Sequence, residues 1–131
     1  MMLEALAERL RTASVAFPAT DLFIGLMPDQ PDRCVAIYEY AGASPLEVMV
    51  DEQATIERPS VQIIVRAGRN DYPTARALAA SVQAALVDIV DEEIQGQRFL
   101  RVHALSSVNA NGTDENDRPI FTLALQAFIE R

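Results

Sequence analysis

DENDRPIFTLALQAFIE, residues 114–130, decides how the fold is read. In its second half Phe121, Leu123, Leu125, Ala127 and Ile129 are apolar, and Thr122, Gln126 and Glu130 stand between them. A period of two is that of a strand with one face on a core. The first half is a knot of Asp, Asn and Arg that stops at Pro119. Asp and Asn side chains accept nearby backbone N–H groups in tight turns, and proline presets an extended start. Asp114, Asn116, Arg118 and Pro119 therefore read as a structural turn, with Arg118 bridging to a nearby carboxylate. A calcium loop is the rival, but the stretch lacks the later glycine and closing bidentate Glu of that pattern. Arg118 would also set a positive charge beside the ion.

Upstream, IERPSVQIIVR, residues 56–66, puts Val61, Ile63 and Val65 on one face of a second strand and Ser60, Gln62 and Arg66 on the other. Pro59 cannot donate to a ladder and is expected at the strand's start or on an edge. LFIGLMP (22–28), RCVAIYEY (33–40) and FLRVHALSS (99–107) read as further strands. Simple alternation in the last of these places Phe99, Arg101, His103 and Leu105 together. A first helix follows from Leu3, Leu6, Ala7, Leu10 and Ala13, closing toward Phe17 and Pro18. A second has Asp71 as N-cap, Pro73 in its first turn and the stripe Ala75, Leu78, Ala79, Val82, Leu86 and Ile89. DEEIQGQ (91–97) reads as a linker, and residues 41–55 as a long connection. Strand runs mixed with two helices in this order predict one α+β domain over 1–131: a mostly antiparallel β-sheet with two helices packed on one face.

The composition excludes several functions. The formal charge is −8, and the eleven basic residues, all Arg, are scattered. Tight nucleic-acid binding draws its affinity from clustered Lys and Arg, and an anionic membrane repels such a chain. Cys34 is the only cysteine, so no intramolecular disulfide is possible, and synthesis in a reducing cytoplasm is expected. The N-terminal stretch has the helical rhythm of a folded element and no basic start before an apolar block, so it does not read as a signal peptide. No run reaches the roughly 20 apolar residues of a membrane span.

Chemistry-bearing residues are sparse. His103 is the only histidine and Cys34 the only thiol; a base and nucleophile pair built from them would need an activating environment that the flanking sequence does not supply. A packed strand histidine and a small buried cysteine are the structural readings. One Cys and one His exclude the usual zinc sets. Five isolated glycines make no phosphate-binding loop. Asp51 with Glu52, and Asp91 with Glu92 and Glu93, are expected in solvated loops or at a helix end. No catalytic, cofactor-binding or metal-binding residue is assigned. Residues 41–55 differ, because Leu46, Val48, Met49 and Val50 are apolar in a connection interrupted by Gly42 and Pro45. Such a patch is costly to leave in water, so these residues, with Glu57 and Arg58 at the base, form the expected oligomer interface.

Three segments together carry a family likeness: LFIGLMPDQPDRCVAIYEYAG, IERPSVQIIVRAGRNDYPTARALA and DENDRPIFTLALQAFIE. In this order, from Leu22 to Glu130, they resemble the tail-terminator or minor capsid proteins of tailed bacteriophages. The shared motifs are structural: an MPD-x-PD turn, an ERP-x-VQ strand and a D-x-N-x-RP approach to the last strand. The resemblance implies a non-enzymatic virion protein that forms a homohexameric ring, ends the tail tube and offers the surface for head–tail joining. The implied partners are further copies of itself, the tail tube protein and the connector or neck proteins, with DNA passing through without specific binding. The alternatives are a head–tail connector or stopper and, in another class, a small-ligand enzyme using Cys34 and His103.

Overall fold

The computed structural model describes residues 2–47 and 55–130; side chains are described for 2–40 and 56–130. The chain order is α1 (Met2–Thr12), β1 (Leu22–Ile24), β2 (Cys34–Glu47), β3 (Thr55–Arg66), α2 (Tyr72–Val87), β4 (Val90–Ile94), β5 (Gln97–Ala104), β6 (Asn109–Thr113) and β7 (Pro119–Glu130). These make a seven-stranded sheet in the order β1-β2-β3-β7-β5-β4, with β6 also on β7. Every pairing is antiparallel except β1 with β2. The fold is α+β, as the element pattern predicted.

The core lies between the sheet and the two helices. Met2, Ala5, Leu6, Ala7 and Leu10 of α1 and Ala75, Leu78, Ala79, Val82 and Leu86 of α2 meet Val61, Ile63 and Val65 of β3. The same core takes Phe121, Leu123, Leu125, Ala127 and Ile129 of β7. Alternate residues of β7 are thus buried, as a half-buried strand requires. Small residues on the α2 stripe let its backbone lie close to the sheet. Asp71 caps α2 by accepting from the Thr74 N–H at 3.4 Å.

Some elements differ from the sequence expectation. α1 ends at Thr12, well before Phe17. Ser14 turns left-handed (φ 59°), and the N–H groups of Ser14 and Val15 return to the carbonyls of Arg11 and Leu10. This helix-ending motif satisfies terminal carbonyls without a proline. β1 has only three residues, whereas β2 runs on through Glu47, so part of the 41–55 connection is strand. Pro59 sits inside β3, between β2 and β7, where the β2 register slips from Tyr40–Ser60 to Ala43–Arg58. An irregularity in the ladder tolerates the missing N–H. The segment read as a linker is the edge strand β4, and β6 is a strand that no periodicity marked.

Candidate functional site

The DENDRP turn closes through Asp114. One carboxylate oxygen, Oδ1, accepts from the backbone N–H groups of Asn116 and Arg118, both at 2.9 Å, and Oδ2 accepts from Arg118 Nε at 2.8 Å. The Asp114 N–H donates to the Arg118 carbonyl at 3.0 Å, and the chain then enters β7 at Pro119. Desolvation pushes the Asp114 carboxyl upward; the N–H groups of Arg118 and Asn116, with the guanidinium, outweigh it, so its pKa lies below the usual carboxylate value. Both oxygens of the would-be calcium ligand are occupied by donors. Among the described residues, no group of three or more Asp, Glu, His or Cys side chains is placed to hold a metal ion.

Arg118 reaches beyond its own turn. Nη2 meets Asp29 Oδ1 at 2.9 Å, and Nη1 meets the Asp29 carbonyl at 2.6 Å and Asp32 Oδ1 at 3.1 Å. Burial alone would lower its pKa; Asp114, Asp29 and Asp32 raise it instead, so the guanidinium stays charged. Arg66, at the end of β3, holds the same loop by its backbone. Its Nε donates to the Asp32 carbonyl at 2.9 Å, and Nη2 lies 2.7–3.2 Å from the carbonyls of Pro28, Asp29 and Pro31. Both arginines are almost completely buried, at 4 % exposure each. A loop with Pro28 and Pro31 has few N–H groups of its own for these carbonyls, and a guanidinium offers five donors and no acceptor. Among the described residues, no buried polar side-chain atom lacks a partner.

The junction brings together the MPDQPD turn, the end of the ERPSVQIIVR strand and the DENDRP turn. Arg66 faces away from the helices, as alternation implied, but sequence reasoning missed that residues 25–33 fold over it. Two prolines in a loop facing an arginine on the outer side of a strand were the available signal. The covering loop also explains why Cys34 and Ala36, on the sheet face away from the helices, have no exposed surface.

Cys34 and His103 do not meet. The register puts three strand spacings and six residues of β7 between them, on the order of 20 Å. Burial pushes the Cys34 thiol up despite Arg66 and Arg118 nearby, the reverse of an activated nucleophile. His103 is exposed on β5, with its Nδ1 3.3 Å from Arg101 Nη2; it is not a packed histidine. Nor does it share a face with Phe99. A bulge between Phe99 and Arg101 buries Phe99 and Val102 on one side and turns Arg101 and His103 outward. Asp91, Glu92 and Glu93 lie on β4 and not in a loop; Asp91 pairs with Arg98, and Glu92 with Arg9.

Of the expected interface residues, Val48, Met49 and Val50 lie outside the described residues, as do Asp51 and Glu52. The Leu46 backbone belongs to β2, opposite Ile56. Glu57 borders a cavity of about 240 Å³ with Glu4, Glu39 and Gln97, on the side of α1 and Ile129. Arg58 follows it in β3 and by alternation takes the opposite face.

The fold and the junction define a small α+β domain whose buried polar centre holds a loop in place and gathers no reactive pair. The chain belongs to the bacteriophage tail terminator protein family, whose family model it matches over residues 9–131; by family it is a tail-terminating structural protein of the phage virion. A chain in the virion of a native gene transfer agent particle aligns with a TM-score of 0.72 at 20 % identity, covering 98 % of this chain and 93 % of that one. A second solved chain aligns with a TM-score of 0.60 at 16 % identity over 98 % and 92 %. The sheath/tube terminator of an extracellular contractile injection system, in its extended state, aligns with a TM-score of 0.48 at 13 % identity, over 98 % of this chain and 54 % of that one. No curated protein matches the sequence. Among the described residues, no helix is long and apolar enough to cross a membrane.

Proposed function

We propose that the protein is a non-enzymatic virion component that closes into a homohexameric ring, stops growth of the tail tube and presents the surface to which the head's connector proteins join. The observation that carries this reading is the family match across residues 9–131. A ring that caps a tube must offer one surface to each repeating subunit, and heterologous contacts that close supply it. Residues 41–55, with Leu46, Val48, Met49 and Val50 and with Glu57 and Arg58 at the base, are the proposed contact arm. The net charge of −8 supports a channel through which DNA passes without specific binding, since like charges repel within a Debye length of about 8 Å. The route begins with synthesis in the bacterial cytoplasm and ends in the particle.

The test combines Val48→Asp with Met49→Asp in a phage lacking its own copy of the gene. The variant is expected to keep the circular dichroism of the folded domain while tails grow to uncontrolled lengths or fail to join heads. Tails of normal length and a normal infectious yield would reject the arm.

A further inference from the structure

The sequence has one Asn-Gly pair, Asn111 and Gly112. Such a pair commonly turns a two-residue hairpin. Here it lies inside β6. Ala110 pairs with Phe121 and Thr113 with Pro119, so the two residues between them on β6 stand opposite Ile120 alone on β7. Gly112 is left-handed, at φ 80°. The pair is therefore a bulge built on glycine, which takes a residue out of the ladder. All five residues of β6 are exposed, and a Cβ placed on Gly112 would meet no atom within 4 Å.

The Asn111 side chain is held by its oxygen. Oδ1 accepts from Asn109 Nδ2 at 3.0 Å and from Thr122 Oγ1 at 3.4 Å. Donors placed there favour the charge that develops on an amide oxygen when a nucleophile adds to its carbon. The backbone nitrogen of Gly112 is the next such group along the chain. The other three asparagines lack this combination. Asn70 and Asn116 precede Asp71 and Asp117, whose N–H groups donate to the carbonyls of Gly68 at 3.0 Å and Asp114 at 3.1 Å. Asn109 precedes Ala110, which keeps its place in the ladder opposite Phe121.

We propose that Asn111 is a self-modification site, at which the folded chain converts the side-chain amide to an acid through a cyclic imide. The Gly112 nitrogen, giving up its proton, bonds to Asn111 Cγ; the Cγ–Nδ2 bond breaks, and ammonia leaves with that proton. Water then opens the ring at either carbonyl. The net change is one water consumed and one ammonia released, with no oxidation or reduction. Opening at one carbonyl leaves an aspartyl residue, and opening at the other leaves an isoaspartyl residue whose main chain is one carbon longer. Both products add a negative charge to a chain already at −8. The extra carbon falls between the Ala110–Phe121 and Thr113–Pro119 pairs, where the bulge already breaks the register.

Ageing the intact protein at neutral pH and body temperature tests it, beside a free peptide spanning residues 108–114. Peptide mapping by mass spectrometry and labelling with an isoaspartyl methyltransferase follow the product. Asn111 is expected to convert in the folded protein at least as fast as in the peptide, and at least tenfold faster than Asn70, Asn109 or Asn116. A slower rate in the folded protein than in the peptide would overturn the proposal, because the fold would then protect the pair. Comparable conversion at all four asparagines would overturn it as well. Gly112→Asn, a residue that tolerates the left-handed backbone, is expected to slow conversion at Asn111 at least tenfold with the melting temperature kept. An undiminished rate in that variant would reject the Gly112 nitrogen as the attacking group. Asn111→Gln is expected to abolish the methyl label over the same period, and a label that persists would place the site elsewhere and overturn the assignment.

Discussion

The two ends of β2 are built differently. Cys34 to Tyr40 pair with β3 in unbroken register, and Val35 to Ile37 also pair with β1, while residues 25–33 close over the outer face through Arg66 and Arg118. Beyond Tyr40 the ladder slips twice, at Ala43 and again at Leu46, and among the described residues only β3 pairs with that part of β2. The contrast teaches where this small domain places its internal contacts. Among the described residues, the end where β2 begins carries the junction of Arg66 and Arg118, and the end that leads into the proposed contact arm pairs with one strand. A strand edge without an internal neighbour leaves N–H and C=O groups for another chain to satisfy.

The sharpest way to break the contrast is Arg66→Leu. The substitution takes the Arg66 donor from the carbonyls of Pro28, Pro31 and Asp32, leaves the Asp29 carbonyl to Arg118 alone, and sets an apolar side chain facing them. Unsatisfied buried polar groups cost about 1–3 kcal/mol each, but the loop can lift and rehydrate, so a total loss of about 3 kcal/mol is expected. Guanidinium unfolding followed by circular dichroism reads this as a lower midpoint, and melting falls by about 10 °C. A loss below about 1 kcal/mol, the scale of an ordinary surface change, would mean that residues 25–33 are held by something other than Arg66.

Asp114→Asn tests the neighbouring turn with a smaller effect, about 1.5 kcal/mol, since a carboxylate accepting backbone N–H groups and a guanidinium becomes a neutral amide. Its pH dependence has a definite sign. The folded-state pKa of Asp114 is depressed, so its contribution is complete above the unfolded carboxylate value of about 4 and is lost as the pH falls through the depressed folded value. The stability gap between the wild type and Asp114→Asn is therefore constant from about pH 8 to 5 and closes below about pH 4. Millimolar calcium is expected to leave both melting curves where they are. A calcium-dependent rise confined to the wild type would restore the metal-loop reading.

Periodicity carried the half of the molecule that packs against the helices. Val61, Ile63 and Val65 of β3 and the five alternating residues of β7 point where their pattern required, because each faces one continuous core. It failed where something other than burial sets the backbone. β4 reads Val-Asp-Glu-Glu-Ile and lies on an edge with little to bury, so its charges looked like a linker. β6, Asn-Ala-Asn-Gly-Thr, is exposed throughout and takes its strand form from pairing with β7. The bulge before Arg101 reverses the side on which every later residue of β5 lies, and no local residue announces it. The turn at Asp114 was legible because the Asx and proline signals are local. The reach of Arg118 to Asp29 and Asp32 was not, since 89 and 86 residues separate these partners in the chain.

The smallest expected effect separates charge from burial within the same hollow. Arg69 and Arg118 both face acidic side chains there, and a count of ion pairs would treat them alike. Their surroundings differ. Arg69 meets Asp117 at 3.4 Å with the two side chains 72 % and 57 % exposed, whereas the Arg118 side chain is 5 % exposed and holds carboxylates from three positions. Exposed pairs are screened and lose side-chain entropy on forming, so Arg69→Ala should change stability by no more than about 0.5 kcal/mol. Arg118→Ala removes the donor shared by two turns and is expected to lower the melting temperature visibly under the same conditions. Raising the salt from 0.1 to 1 M shortens the Debye length from about 10 to 3 Å, which should erase what little Arg69 contributes and leave most of the Arg118 effect. If the two variants instead melted together and responded alike to salt, the junction would be a diffuse field of surface charge, and the closure of residues 25–33 over the sheet would need another cause.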